Sequence, residues 1–295
     1  MSDRIVLGTV QLGLPYGRLR ANVLMPYAAA VDILDAAWRT GIRFFDTAEA
    51  YGDAPARLKK WLLDTGHLSH AHVVTKVSGP EIRRSSDSLR AAVDRFEGAA
   101  SRTILTHGSV DEAVWTEVIR LAKIRDVSVG QSVYSSSEVR SAVRCPGISR
   151  IQAPGNLLDD SVIEARGHAA VSLDIRSVFL QGLLLDSPDV AEKRVPGAGV
   201  VASAVASAAL ETRERADVML VASMLARLHQ GDRLVIGADD PQQLDALAAA
   251  QSVSAERVRA FVAAFDEQCP RSIDANILDP RRWPTALETT PSRPS

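Results

Sequence analysis

Short apolar runs alternate with amphipathic stretches along almost the whole chain, and the alternation occurs eight times. The runs lie at residues 5–9, 42–46, 73–76, 103–107, 128–132, 150–153, 171–176 and 233–237. They are rich in Val, Ile and Leu, as expected of parallel strands covered on both faces. Between them the apolar positions recur at three- and four-residue spacing. In 28–39, Ala28, Val31, Leu34 and Trp38 fall on one helical face, and Gly41 follows as a stop. The same reading predicts helices over 57–63, 86–96, 112–122, 136–143, 161–166, 215–229 and 242–250. The Ala/Val/Gly-rich stretch 197–210 reads as a buried helix, too short for the roughly 18–20 residues of a membrane span. Residues 253–268 form an additional helix, and the Pro/Ser-rich end, 289–295, reads as a disordered tail.

Eight β-then-α units without a long polar linker predict an α/β fold, a single (β/α)8 TIM barrel over 1–288 with an extra C-terminal helix. A Rossmann domain is disfavoured, because Gly8-Thr-Val-Gln-Leu-Gly13 lacks the GxGxxG spacing.

Composition adds mainly exclusions. The 295 residues, 46% hydrophobic and 24% charged, are those of an ordinary globular protein. A net charge of −2 gives no electrostatic case for nucleic acid or an anionic membrane. Cys145 and Cys269 belong to no metal or disulfide pattern. With no basic start or long apolar run at the N-terminus, a cytoplasmic location is expected.

In such a barrel the site is built at the carboxyl ends of the strands. Reading those ends gives Thr9, Asp46, Lys76, His107, Ser132, Gln152, Arg176 with Ser177, and Gly237, with Tyr51 on a turn just beyond Asp46. A phenol titrating near pH 10 is a poor acid at neutral pH unless a cation lowers that value. Lys76 could be that cation, Asp46 could hold it, and His107 could orient a carbonyl oxygen. The set fits reduction of a carbonyl with Tyr51 as proton donor. Individually, Asp46 could cap a loop and His107 could be a satisfied polar residue. Three successive strand ends together argue against that reading.

Asp46-Thr-Ala-Glu-Ala-Tyr51-Gly52, Val74-Thr-Lys76, Leu105-Thr-His107 and Leu7-Gly-Thr9 resemble the aldo-keto reductase family in order and spacing. The resemblance implies a nicotinamide cofactor bound across the barrel mouth. Tyr51 would be the general acid, Lys76 would lower its pKa, Asp46 would pair with Lys76, and His107 would position the substrate. It also implies cofactor contacts from Thr9, Ser132, Gln152, the loop Arg176, Ser177, Leu180 and Gly182, and from Gly237, Asp239 and Gln243.

Two departures bear on the cofactor. Arg176 stands where the family often has an aromatic residue that stacks on the nicotinamide. Asp239 and Asp240 stand where NADP-selective members place groups for a 2′-phosphate, so NAD(H) is expected over NADP(H). Short loops suit a small, polar, sugar-like carbonyl or alcohol substrate. A cofactor-independent lyase or isomerase using the same acid–base residues, or a non-catalytic binding barrel, are the other readings. The cluster His67, His70 and His72 lies at the amino end of the barrel and, lacking carboxylate or Cys partners, reads as a solvated loop rather than a metal site. Arg281, Arg282 and Trp283 read as a polar surface tail rather than a lid or subunit contact.

Overall fold

A computed structural model describes residues 4–16 and 23–283. The proposed tail at 289–295 lies outside the described residues. Eight parallel strands close into a barrel in sequence order. They are β1 (Ile5–Gly8), β2 (Phe44–Asp46), β3 (His72–Ser78), β4 (Ser101–His107), β5 (Ser128–Ser132), β6 (Arg150–Pro154), β7 (Ser172–Arg176) and β8 (Arg233–Ile236). Each falls on one of the eight apolar runs, with its ends shifted by two residues at most. β8 pairs with β1, Leu7 opposite Ile236, which closes the ring.

The helices form where the three-to-four spacing places them, as in Tyr27–Arg39, Glu112–Arg125 and Ala216–Arg227. The Ala-rich segment forms the helix Gly199–Thr212 and packs against the extra helix Ala255–Gln268. Four short helices lack enough turns to show a period in the sequence: Val10–Gly13, Gly79–Arg84, Pro188–Arg194 and Ala275–Leu278. One of them, Gly79–Arg84, carries a legible signature. Ser78 caps it and Glu81 accepts a hydrogen bond from the Ser78 backbone N–H, a capping box. Among the described residues, no helix is long and apolar enough to cross a membrane.

Alternation along β2 explains how the fold delivers its chemistry. Phe45 is fully buried and packs outward against Trp38 and Trp61 of the flanking helices. Phe44 and Asp46 take the other face. Phe44 stacks on His72 at 4.3 Å and beneath the Arg233 guanidinium at 3.8 Å, and Arg150 pairs with the buried Asp174 at 2.6 Å. The barrel floor is therefore aromatic and ionic rather than the branched aliphatic filling usual for the fold. His67 stacks on Trp38 at 3.9 Å, so two members of the histidine cluster, both half-buried, rest on aromatic rings while His70 is exposed.

Candidate active site

Lys76 is on β3, where Asp46 pairs with Val74, so the lysine rises from the same face one alternation higher. Its Nζ donates to both oxygens of Asp46, at 2.5 and 2.6 Å, and the two side chains are 0% and 4% exposed. A buried pair of this kind survives only with its remaining valences satisfied. Gln152 of β6 supplies one more contact, Nε2 donating to Asp46 Oδ1 at 2.8 Å, while its Oε1 accepts from Ser132 Oγ at 3.2 Å. The Thr9 hydroxyl donates to the Asp46 carbonyl at 2.9 Å.

Tyr51 is carried by a turn, Tyr51 N–H donating to Ala48 O at 2.9 Å, and Gly52 adopts φ +55°. The segment Val10–Gly13 passes hard against this turn. A Cβ on Gly13 would lie 2.1 Å from Tyr51 O and 2.2 Å from Ala54 N, so no larger residue fits there. The Tyr51 ring lies 5.0 Å from Lys76 Nζ and edge-on to His107, with ring centroids 6.3 Å apart. Asp46, Tyr51, Lys76 and His107 are thus drawn together from β2, the turn beyond it, β3 and β4.

The electrostatics differ from the expected division of labour. Burial pushes the Tyr51 phenol well above its ordinary value, the Asp46 carboxylate adds to this, and the cation that pulls the other way is Arg176. Lys76 spends its short contacts on Asp46, and among the described residues no hydrogen bond joins it to the Tyr51 hydroxyl. Burial pushes Lys76 itself downward, opposed by Asp46. His107 is lowered by burial, then by Lys76 and Arg176, which leaves a neutral imidazole at pH 7. The site therefore presents a protonated phenol and a neutral imidazole N–H, two hydrogen-bond donors suited to one carbonyl oxygen.

These groups open into a cavity of about 820 Å³ that runs from Tyr51 and His107 past the loop after β7 to Gly237, Asp239, Gln243 and Leu247. Thr9, Asp46, Ser132, Arg176, Ser177 and Gly182 also line it. Two expected contacts are placed differently. Leu180 is fully buried beneath its loop, and Gln152 sits below the cavity wall with its amide held by Asp46 and Ser132. The loop after β7 is bent sharply. Ser177, Leu180 and Gln181 hold φ values of +67°, +46° and +53°, a region that side-chain-bearing residues rarely occupy.

Several wall residues carry no strand-end signal in the sequence. Gln11, Tyr16 and Tyr134 lie in loops or a single turn of helix, and Arg281 lies near the chain end. Arg281 and Arg282 are exposed, as a surface segment would be, but the segment also borders the cavity. Arg281 lines the cavity with its guanidinium 4.4 Å from the Tyr134 ring, and Trp283 receives Arg194 at 5.1 Å. No signal in the sequence marks them, since 279–283 has no period or motif.

Comparison with known families gives one match, the aldo/keto reductase family, over residues 4–103. The matched stretch spans β1 to β3 and the start of β4, about a third of the chain; it carries Asp46, Tyr51 and Lys76, while His107 lies just past it. Solved aldo/keto reductase-type barrels resemble the whole chain. A glycerol dehydrogenase of Gluconobacter oxydans is 17% identical, with a TM-score of 0.70, covering 92% of this chain and 94% of its own. An aldo/keto reductase of Brucella melitensis is 15% identical, TM-score 0.63, covering 88% and 92%. Aldose reductase of Giardia lamblia is 13% identical, TM-score 0.64, covering 93% and 96%. At such identities the likeness is one of fold. No curated protein matches the chain in sequence.

Proposed function

We propose that this barrel reduces an aldehyde or ketone to the alcohol with hydride from a nicotinamide cofactor, or runs that reaction in reverse. The observation that carries the reading is the convergence of Tyr51, His107 and the Lys76–Asp46 pair at the end of one elongated cavity. Tyr51 donates the proton to the carbonyl oxygen: burial keeps the phenol protonated at rest, and Arg176 together with Lys76, 5.0 Å from its ring, are the cations that stabilise the phenolate as it forms. His107 donates a hydrogen bond to the same oxygen and fixes its direction. The Lys76–Asp46 pair keeps a compact charge beneath the phenol and holds the ring in place.

The remaining length of the cavity suits an extended dinucleotide. A volume of about 820 Å³ lies in the usual range for cofactor sites, and the buried Gln11 Oε1 has no partner of its own there. Ser132 would serve the nicotinamide end, its hydroxyl held from below by Gln152, the loop Ser177–Gly182 the phosphates, and Gly237, Asp239 and Gln243 the adenosine end. When bound, the cofactor supplies the hydride. We favour NAD(H), because Asp239 and Asp240 open the helix Pro241–Ala250, with Asp240 capping it through Gln242 N–H at 2.7 Å. A 2′-phosphate would meet two carboxylates there. A polar, sugar-like substrate fits the polar groups of the wall.

Calorimetric titration with NADH and NADPH tests the reading. Saturable binding, tighter for NADH, is expected. Tyr51→Phe should keep that binding and lose about 10²–10⁴-fold in turnover. Failure of both nucleotides to bind at millimolar concentration would sink it.

A further inference from the structure

Among the described residues, one cation of the cavity has no acid against it. The cavity's carboxylates are met on the chain: Asp46 by Lys76, Asp217 by Arg215, Asp279 by Arg281, and Asp159 by the Ser161 N–H. Asp239 likewise has an interaction partner. Among the described residues no carboxylate pairs with Arg176. Its guanidinium donates at 3.1 Å to Val133 O and at 3.4 Å to Ser177 Oγ, and it lies 4.7 Å from the Tyr134 ring. A guanidinium has five N–H donors, so three remain for a ligand. Arg281 covers Tyr134 as well, at 4.4 Å, so the ring is flanked by two guanidinium groups.

Arg176 is also firmly placed. It ends β7, two residues above the buried Asp174, and the bent backbone at Ser177 begins immediately after it. Stacking on an aromatic ring orients a guanidinium plane without consuming its edge donors. Such a group is built to meet a planar anion through paired N–H bonds.

We propose that Arg176 is a carboxylate receptor, and that the preferred substrates are oxo acids whose carboxylate lies within a few bonds of the carbonyl reduced. The inference rests on the carbonyl-reductase reading and adds the substrate class to it. Arg176 lines the same cavity as Tyr51 and His107 and acts electrostatically on both, so a 2-oxo acid whose carbonyl oxygen meets those two donors can turn its carboxylate to the guanidinium. The same chemistry would also attract a phosphate of the cofactor, and the test separates the two anions.

The test compares pyruvate with methyl pyruvate, a matched pair differing in charge, in the wild-type protein, Arg176→Gln and Arg176→Lys. Wild-type kcat/KM should favour the acid by at least about ten-fold, the scale of a charge-assisted hydrogen bond. Arg176→Gln should bring the ratio to about one whatever its overall rate, and Arg176→Lys should restore part of it. A wild-type ratio at or below one, or a ratio unchanged in Arg176→Gln, overturns the proposal. So does a loss of NADH affinity in Arg176→Gln with the ratio preserved, which would assign the guanidinium to the cofactor. Calorimetry with oxamate, which cannot be reduced, keeps the two readings distinct. If no carbonyl turns over and no nucleotide binds, the redox reading fails. The receptor then stands if oxamate binds and Arg176→Gln abolishes that binding, and falls if oxamate does not bind.

Discussion

Gln152 Nε2 donates to Asp46 Oδ1 at 2.8 Å, joining β6 to β2 through the barrel interior across 106 residues of sequence. The two strands stand four apart in a ring of eight, so this contact spans the barrel. It makes Asp46 the meeting point of three strands, since Lys76 of β3 binds both its oxygens. An amide at this point is a neutral donor that satisfies a carboxylate without competing with the ammonium.

Replacement of Gln152 should therefore separate size from charge. Gln152→Leu leaves the ion pair one donor short and should cost about 1.5–3 kcal/mol of stability. Gln152→Glu sets a second buried carboxylate against Asp46 and should cost more at pH 8. The folded-state pKa of the introduced carboxyl group would be raised, so its penalty is present at high pH and relieved as pH falls and the group protonates. Urea unfolding of both variants at pH 5.5 and 8 reads this out. A Gln152→Glu variant equally stable at both pH values would contradict it.

The pH dependence of turnover follows from two opposite shifts. His107 is held below the ordinary imidazole value of about 6.5, and Tyr51 above the ordinary phenol value of about 10. Both donors keep one protonation state between those limits, so kcat/KM for reduction should be flat from about pH 6.5 upward until Lys76, which burial holds below its ordinary value of about 10.4, loses its charge. Stability carries the same signature. The depressed His107 contributes stability that is present above its unfolded value and lost as pH falls through the folded one. His107→Asn should lessen acid destabilisation below about pH 6.5, measured by thermal unfolding across pH.

A structural ion pair closes the opposite end of the barrel. Arg166 Nη1 binds both oxygens of Asp232, at 2.8 and 2.7 Å, with side chains 4% and 1% exposed. Asp232 also accepts from the backbone N–H groups of Leu173 and His229. Asp232→Ala strands a buried guanidinium and two amides and should cost about 3–5 kcal/mol. Denaturant unfolding would register this, and a loss under about 1 kcal/mol would show that water takes over the vacated contacts.

What can be read from the chain divides along physical lines. β-strands in a doubly covered sheet tend to be apolar, so most of the eight leave a short run of Val, Ile, Leu or Phe, while β5 (Ser128–Ser132) and β6 (Arg150–Pro154) carry one branched residue each. Asp46, Lys76 and His107 break those runs at their ends, which makes them conspicuous. The bond from Gln152 to Asp46 leaves no local trace, because nothing near either residue encodes a partner 106 positions away. Tyr134 and Arg281 are hidden for a related reason: they meet through a cation–aromatic contact between a loop and the last turn of the described chain. The electrostatic role of Lys76 is not legible either, since burial outweighs a neighbouring charge in setting the phenol's acidity.

The left-handed backbone at Ser177, Leu180 and Gln181 has a consequence for timing. Each such residue disfavours the native conformation by roughly 1–3 kcal/mol, and packing such as the full burial of Leu180 keeps the loop bent regardless. The bending is thus completed when the protein folds. A molecule arriving in the cavity finds this wall already shaped, and its contacts need not order the loop first.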